Sequence, residues 1–142
     1  EDTAVVVLRF RSGALGIIEA TTATRPRDLE GSISILGARG TVEIGGFAVN
    51  HMKVWEFEDA VPDDAQVMAK FSVNPPNVYG FGHQAYYEHV VDCIANGREQ
   101  LVDGLVGRKS LELIAAIYES IETGEEVSLR FVPRRCRLGL PE

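Results

Sequence analysis

Three imidazoles and a pair of guanidinium groups are the side chains whose type and spacing bear on chemistry in this sequence. His83 and His89 stand six residues apart, which puts them roughly 240° apart around a helix. His51 falls in a strand-like stretch, so spacing brings no metal-ligand set together. His83 follows Gly80-Phe81-Gly82 and opens a helical pattern. There its ring can serve a polar ligand as donor or acceptor, or hydrogen-bond locally at a helix start. Arg25 and Arg27 flank Pro26 in the segment TRPRDLEG, residues 24–31. They read either as solvated loop charges or as ligands for an anion or a hydroxyl.

Other candidates fail on physical grounds. GLVGRKS, residues 104–110, looks like a phosphate loop, but Arg108 separates Gly107 from Lys109 and the first glycine is too close. The backbone cannot wrap phosphates that way, and the segment reads as a helix N-terminus with a solvated basic turn. GALG, GARG and GFGH are turns, and no GxGxxG occurs. No Ser/His/Asp or Cys/His arrangement can be argued. Cys93 and Cys136 share no short motif, and the expectation is a reduced, cytoplasmic chain.

These residues need positioning elements. Residues 4–11, AVVVLRFR, form a β-branched strand, Ser12-Gly13 turns, and residues 14–23 return as its partner. Pro26 breaks the chain before a second hairpin at 31–44, GSISILGARGTVEI. In it Ile33, Ile35, Val42 and Ile44 alternate with Ser32, Ser34 and Glu43, the period of a half-buried strand. Residues 47–58 suit one or two further strands, 59–64 an acidic loop, and 67–73 a short strand. Asn74-Pro75-Pro76-Asn77 is excluded from helix. The period then lengthens. Residues 83–96 make an amphipathic helix stopped by Asn96-Gly97. Asp103 caps a second helix running to about Glu122, with Leu111, Ile114, Tyr118 and Ile121 on a stripe expected to be well buried. Residues 126–132 suit a last strand. Strands, then helices, then a strand give an α+β fold: one open, mostly antiparallel sheet with two main helices on one face. Those helices are expected to cover the apolar side of the 31–44 hairpin.

The chain has 142 residues, 45% of them hydrophobic, and a mean hydropathy of -0.01. It reads as a single domain, 1–142, with a tail from about 133 to 142, and is long enough for a core of its own. The formal charge of -7 argues against nucleic acid as a partner. Arg130, Arg134, Arg135 and Arg137 read as a solvated C-terminal run. No apolar stretch approaches the roughly 20 residues that span a bilayer, so no membrane is expected. Glu1-Asp2-Thr3 leads into a strand without a Met, and the expectation is a piece of something longer.

Three motifs, in this order, carry a resemblance: RFRSGALG in the first hairpin, ILGARGTV in the second, and VDGLVGRKSLELIAAIYES in the last helix. Over about residues 2–130 the chain resembles the C-terminal domain of the Gfo/Idh/MocA oxidoreductases, which include glucose–fructose oxidoreductase and inositol dehydrogenase. The resemblance implies a two-domain NAD(P)-dependent sugar or nucleotide-sugar dehydrogenase. An N-terminal Rossmann domain binds NAD or NADP, and an open sheet covers the active site and makes the oligomer. The family's E-K-P lysine and Asp-x-x-x-His motif are absent from this sequence. The chain is therefore expected to be a truncated C-terminal domain, with no cofactor of its own and inactive alone.

Carried over residue by residue, the resemblance places His83 where family members often have Tyr or His near the substrate. It matches the 24–29 loop to one that approaches the sugar pocket, where Arg25 and Arg27 suit an anionic substrate such as a uronic acid or nucleotide sugar. The expected partners are a sugar substrate with the Rossmann domain, and further copies of the chain packed through the open sheet face as a homo-oligomer. The alternative is a non-enzymatic ligand-binding or assembly module derived from the same family.

Overall fold

The computed structural model describes residues 2–59, 61–77 and 79–130. Alternating β-branched residues give β1 (Thr3–Arg9) and β2 (Leu15–Thr21), which pair as a two-stranded sheet. Gly13, at φ 91°, makes the left-handed turn between them, and the Phe10 carbonyl accepts from its amide at 2.9 Å. In each strand burial alternates: Val5, Val7, Leu15 and Ile17 are exposed, while Val6, Leu8 and Ile18 are half-buried.

β3 (Ile33–Gly37) and β4 (Gly40–Gly45) form the expected second hairpin, and β5 (His51–Phe57) extends it to a three-stranded antiparallel sheet in the order β3-β4-β5. Its register pairs Ile33 with Ile44, Ile35 with Val42 and Ser34 with Glu43, as the period-2 pattern requires. The strands thus make two sheets where the sequence suggested one; the Pro-containing connection separates them. Between β4 and β5 the register slips. Glu43 faces Val54 and Ile44 faces Met52, so Lys53 has no cross-strand partner and forms a β-bulge.

Most of the segment read as a strand at 67–73 is instead α1 (Asp64–Lys70), packed on β5; past the helix Ser72 makes an isolated antiparallel bridge to His51. Asp64 is the reason. Its carboxylate accepts from the Val61 amide at 2.7 Å, closing a local turn. It also accepts from Trp55 Nε1 at 2.8 Å, and Trp55 meets Phe57 edge-on at 5.0 Å. A side chain that bonds both the preceding loop and β5 starts a helix where hydrophobicity alone suggests a strand. Residues 74–77 are irregular, as the prolines demand.

α2 (Gly82–Asn96) and α3 (Gly104–Thr123) lie within two residues of expectation. Asp103 caps α3, accepting from the Val106 amide at 2.7 Å, a contribution of about 1 kcal/mol. Gly124 ends the helix in the left-handed region at φ 69°. The expected burial of α3 is corrected. Leu111 and Ile121 are exposed, at 63% and 62%. The covered side is centred on Glu119, with Ala115 and Ala116 close by. Glu119 is buried, and its carboxylate pairs with the Arg130 guanidinium. Two alanines and an ion pair let the 127–130 segment lie close to the helix, so the small residues are covered and the leucine stripe is not. Residues 126–130 form no strand, and the rest of that predicted strand, with the predicted tail and Cys136, lies outside the described residues.

The chain divides into two compact units, with boundaries inside β1, β2 and α2. One comprises the chain to Val5 with Ile17–Glu88, the other Val6–Gly16 with the chain from His89 onward. In the second, Cys93 is the one buried apolar side chain among the described residues. Its Sγ donates to the Glu99 carbonyl at 3.4 Å and lies 3.5 Å from His89 Nε2, which accepts from the Leu101 amide at 3.0 Å. In the first, Ile33 and Ile35 of the 31–44 hairpin are 52% and 59% exposed. No helix among the described residues is long and apolar enough to cross a membrane.

The Asp64 contacts hold its carboxyl below the ordinary 3.8, through Trp55 first and the Val61 amide second. A depressed carboxyl pKa stabilises the fold above the unfolded value, and that stability is lost as pH falls through the folded one. Unfolding followed by Trp55 fluorescence should therefore show stability falling below about pH 3.8. Asp64→Asn should flatten that fall; an unchanged acid limb would show that the contact is not coupled to folding.

Candidate functional site

His83 is the second residue of α2 and is exposed. Gly80, at φ 67°, turns the chain into the helix and brings the Tyr79 carbonyl within 3.1 Å of His83 Nδ1. A carbonyl can only accept, so Nδ1 carries the proton. In the neutral ring Nε2 is then the acceptor, on the side of the imidazole away from its own backbone partner. The Tyr79 ring meets the imidazole edge-on at 5.8 Å, which fixes its plane. The local hydrogen bond and an acceptor aimed outward coexist, although they read as alternatives from sequence.

The two arginines differ. Arg25 Nη1 turns back onto its own loop, donating to the Thr24 carbonyl at 2.8 Å and the Thr22 carbonyl at 3.3 Å. Arg27 is exposed and makes no hydrogen bond or ion pair among the described residues. Arg27 therefore presents a whole guanidinium fork, while Arg25 is partly spent on shaping the turn. No hydrogen bond, ion pair or ring contact joins this loop to His83 among the described residues.

Two residues passed over in the sequence hold the loop's far end. The Glu30 carboxylate accepts from Lys53 Nζ at 2.7 Å and from the Gly46 amide at 3.1 Å. The Gly31 amide donates to the Gly46 carbonyl at 3.1 Å. Glu30 is held below its ordinary carboxyl value chiefly by the Lys53 hydrogen bond, then by the Gly46 amide. Lys53 is raised above its ordinary value chiefly by the hydrogen bond to Glu30. The Pro-flanked arginines drew attention to this loop, but no local signal marks the bulge that presents Lys53.

The remaining histidines serve the fold. His51 Nε2 donates to Asn74 Oδ1 at 2.8 Å, and His89 holds the connection after α2. No group of three or more metal-ligating side chains forms among the described residues. The GLVGRKS segment forms about the first two turns of α3, with the carboxylate of Asp103 accepting from the Val106 amide.

With this geometry in hand, the likeness to known proteins is specific. Residues 1–129 match the model of an oxidoreductase family's C-terminal alpha/beta domain. The WlbA dehydrogenase from Bordetella pertussis, solved in complex with NADH and UDP-GlcNAcA, is 44% identical over 93% of this chain, with a TM-score of 0.84. The WlbA dehydrogenase from Chromobacterium violaceum, in complex with the same two molecules, is 42% identical over 93% of the chain, with a TM-score of 0.81. The chain spans 38% and 36% of the lengths of these two proteins. No curated protein matches it. The chain belongs to the Gfo/Idh/MocA oxidoreductase family, as its C-terminal alpha/beta domain.

Proposed function

We propose that this chain is the substrate-facing part of an NAD-dependent nucleotide-sugar dehydrogenase. One observation carries the reading: two relatives more than 40% identical along nearly the whole chain were captured with NADH and UDP-GlcNAcA. That sugar nucleotide bears a carboxylate as well as a diphosphate, so it suits a loop with two arginines. His83 Nε2 accepts a hydrogen bond from a substrate hydroxyl and orients it. Arg27, with Arg25 beside it in sequence, takes the anionic group.

The described residues do not fit a dinucleotide. Both sheets are antiparallel, and no strand here runs through a glycine turn into a helix start as dinucleotide binding requires. One amide of the first turn of α3, that of Val106, already donates to the Asp103 carboxylate. The hydride acceptor is thus held elsewhere in the longer protein, and the residues of this chain bind and orient. The 142-residue chain mixed with UDP-GlcNAcA and NAD should give no NADH absorbance. Steady turnover by the chain alone would overturn that division of labour.

In the full-length protein, Arg27→Ala should raise KM for UDP-GlcNAcA about tenfold, the worth of one charge-assisted hydrogen bond, with Arg25→Ala weaker. Because Arg27 takes the sugar carboxylate, KM for a UDP-sugar that keeps the diphosphate but lacks that carboxylate should move less than about twofold. Equal effects on the two substrates would refute the carboxylate role.

We further propose that copies of the chain assemble through the open sheet face. Val5, Val7, Leu15 and Ile17, each 69% or more exposed, are too apolar to stay in water at no cost. Light scattering at micromolar concentration should give a dimer or larger species, reduced by Val7→Lys. A wild-type monomer would count against it.

A further inference from the structure

The most constrained charged cluster outside the proposed ligand contacts is Glu30, Lys53 and Gly46. Three features converge on it. The first is the bulge: β5 slips by one residue at Lys53, which takes that side chain out of strand alternation, and bulges serve to re-aim side chains. The second is space. Lys53 lies across Gly45, where a Cβ would meet Lys53 Cε at 2.4 Å and Nζ at 2.6 Å. Any residue larger than glycine would displace the ammonium group. The third is reciprocity. Gly46, at φ 94°, donates its amide to Glu30 and accepts at its carbonyl from Gly31, so residues 30 and 31 are fastened to one residue in both directions.

The ammonium also lies 3.6 Å from Glu43. It therefore links β4, β5 and the loop with one charge, and Glu30 is its shorter contact. A solvated ion pair alone contributes little. This one differs because the same carboxylate holds a backbone amide, and because its residue ends a loop tied at its other end by Arg25 to the Thr22 and Thr24 carbonyls. Arg27 sits between the two attachments. Without the Glu30 attachment, the ordering of Arg27 would have to be supplied when the substrate binds, and affinity would fall by that amount.

We propose that Glu30 is a positioning residue for substrate affinity: held by the bulged Lys53 and the Gly46 amide, it keeps the Arg25–Arg27 loop in the conformation that meets the anionic group. This rests on the reading of that loop as the substrate's anion site. Glu30 does not touch substrate; it acts through Arg27.

The test is a variant series in the full-length protein assayed with UDP-GlcNAcA and with a UDP-sugar that lacks the sugar carboxylate. Glu30→Ala should raise KM for UDP-GlcNAcA about tenfold, with kcat changed by less than about threefold. Glu30→Gln, which can still accept from Gly46 but loses the negative charge that pairs with Lys53, should fall between. The exchange Glu30→Lys with Lys53→Glu should recover part of the loss relative to either single change. Hydrogen exchange at the Gly31 amide should quicken in Glu30→Ala without substrate, a readout independent of turnover. If Glu30→Ala lowers kcat for both substrates equally and lowers melting temperature without shifting KM, the residue is merely structural and the proposal fails. If Arg27→Ala raises KM for the acidic substrate and Glu30→Ala does not, the positioning role fails while the anion site stands. If Arg27→Ala has no effect, the anion site itself fails, and the role of Glu30 with it.

Discussion

Lys53 is the residue that β5 leaves without a cross-strand partner. Because of that slip, one ammonium group reaches Glu30 and Glu43 together, and the 24–31 loop gains an attachment on the three-stranded sheet. The requirement is steric as well as electrostatic, since the end of Lys53 passes over Gly45, where a Cβ would push the ammonium group aside. Register, glycine and charge thus depend on one another. Restoring regular pairing at residue 53 would return Lys53 to strand alternation, and the arginines would lose the frame that orders them.

The period-2 pattern predicted the β3–β4 hairpin and which residues share each face, because alternation is a direct image of a two-sided sheet. Caps were equally readable: Asp103, Gly97 and Gly124 act where their chemistry says they should. What misled was hydrophobicity without partners. Val67 to Val73 looks like a strand until Asp64 is seen bonding both Trp55 and the Val61 amide. The α3 stripe looks like a core face until Glu119, buried against Arg130, shows the opposite side covered. Both depend on specific polar contacts made three to eleven residues away, which a pattern of hydrophobicity does not register. The sequence and the motif resemblance marked His83, Arg25 and Arg27; the structure adds how His83 and Arg25 are held by backbone carbonyls, while Arg27 makes no hydrogen bond or ion pair among the described residues. Glu30 escaped notice because a bulge leaves no trace in residue types.

The two units use polar groups differently. Around β5, Asp64 and Glu30 are carboxylates that fasten loops to strands, each through a side-chain donor and a backbone amide. In the unit from His89 onward, polar groups stand where a hydrocarbon core would be expected: a thiol against a carbonyl, an imidazole on an amide, and a carboxylate on a guanidinium. Such contacts specify geometry more than they add stability. The apolar side chains that would ordinarily supply the stability stand largely exposed in the chain described here.

β3 carries a further consequence. It lies at the edge of its sheet, its five residues ISILG carry no charge and no proline, and all five are exposed. Natural edge strands are usually blunted by lysine, by a bulge or by a covering loop. This sheet has its bulge on the opposite side, in β5. The free backbone donors and acceptors of β3 are therefore a template for another extended chain, with isoleucines ready to interlock. For the chain handled by itself, the strand most plainly written in the sequence is also its point of greatest colloidal weakness.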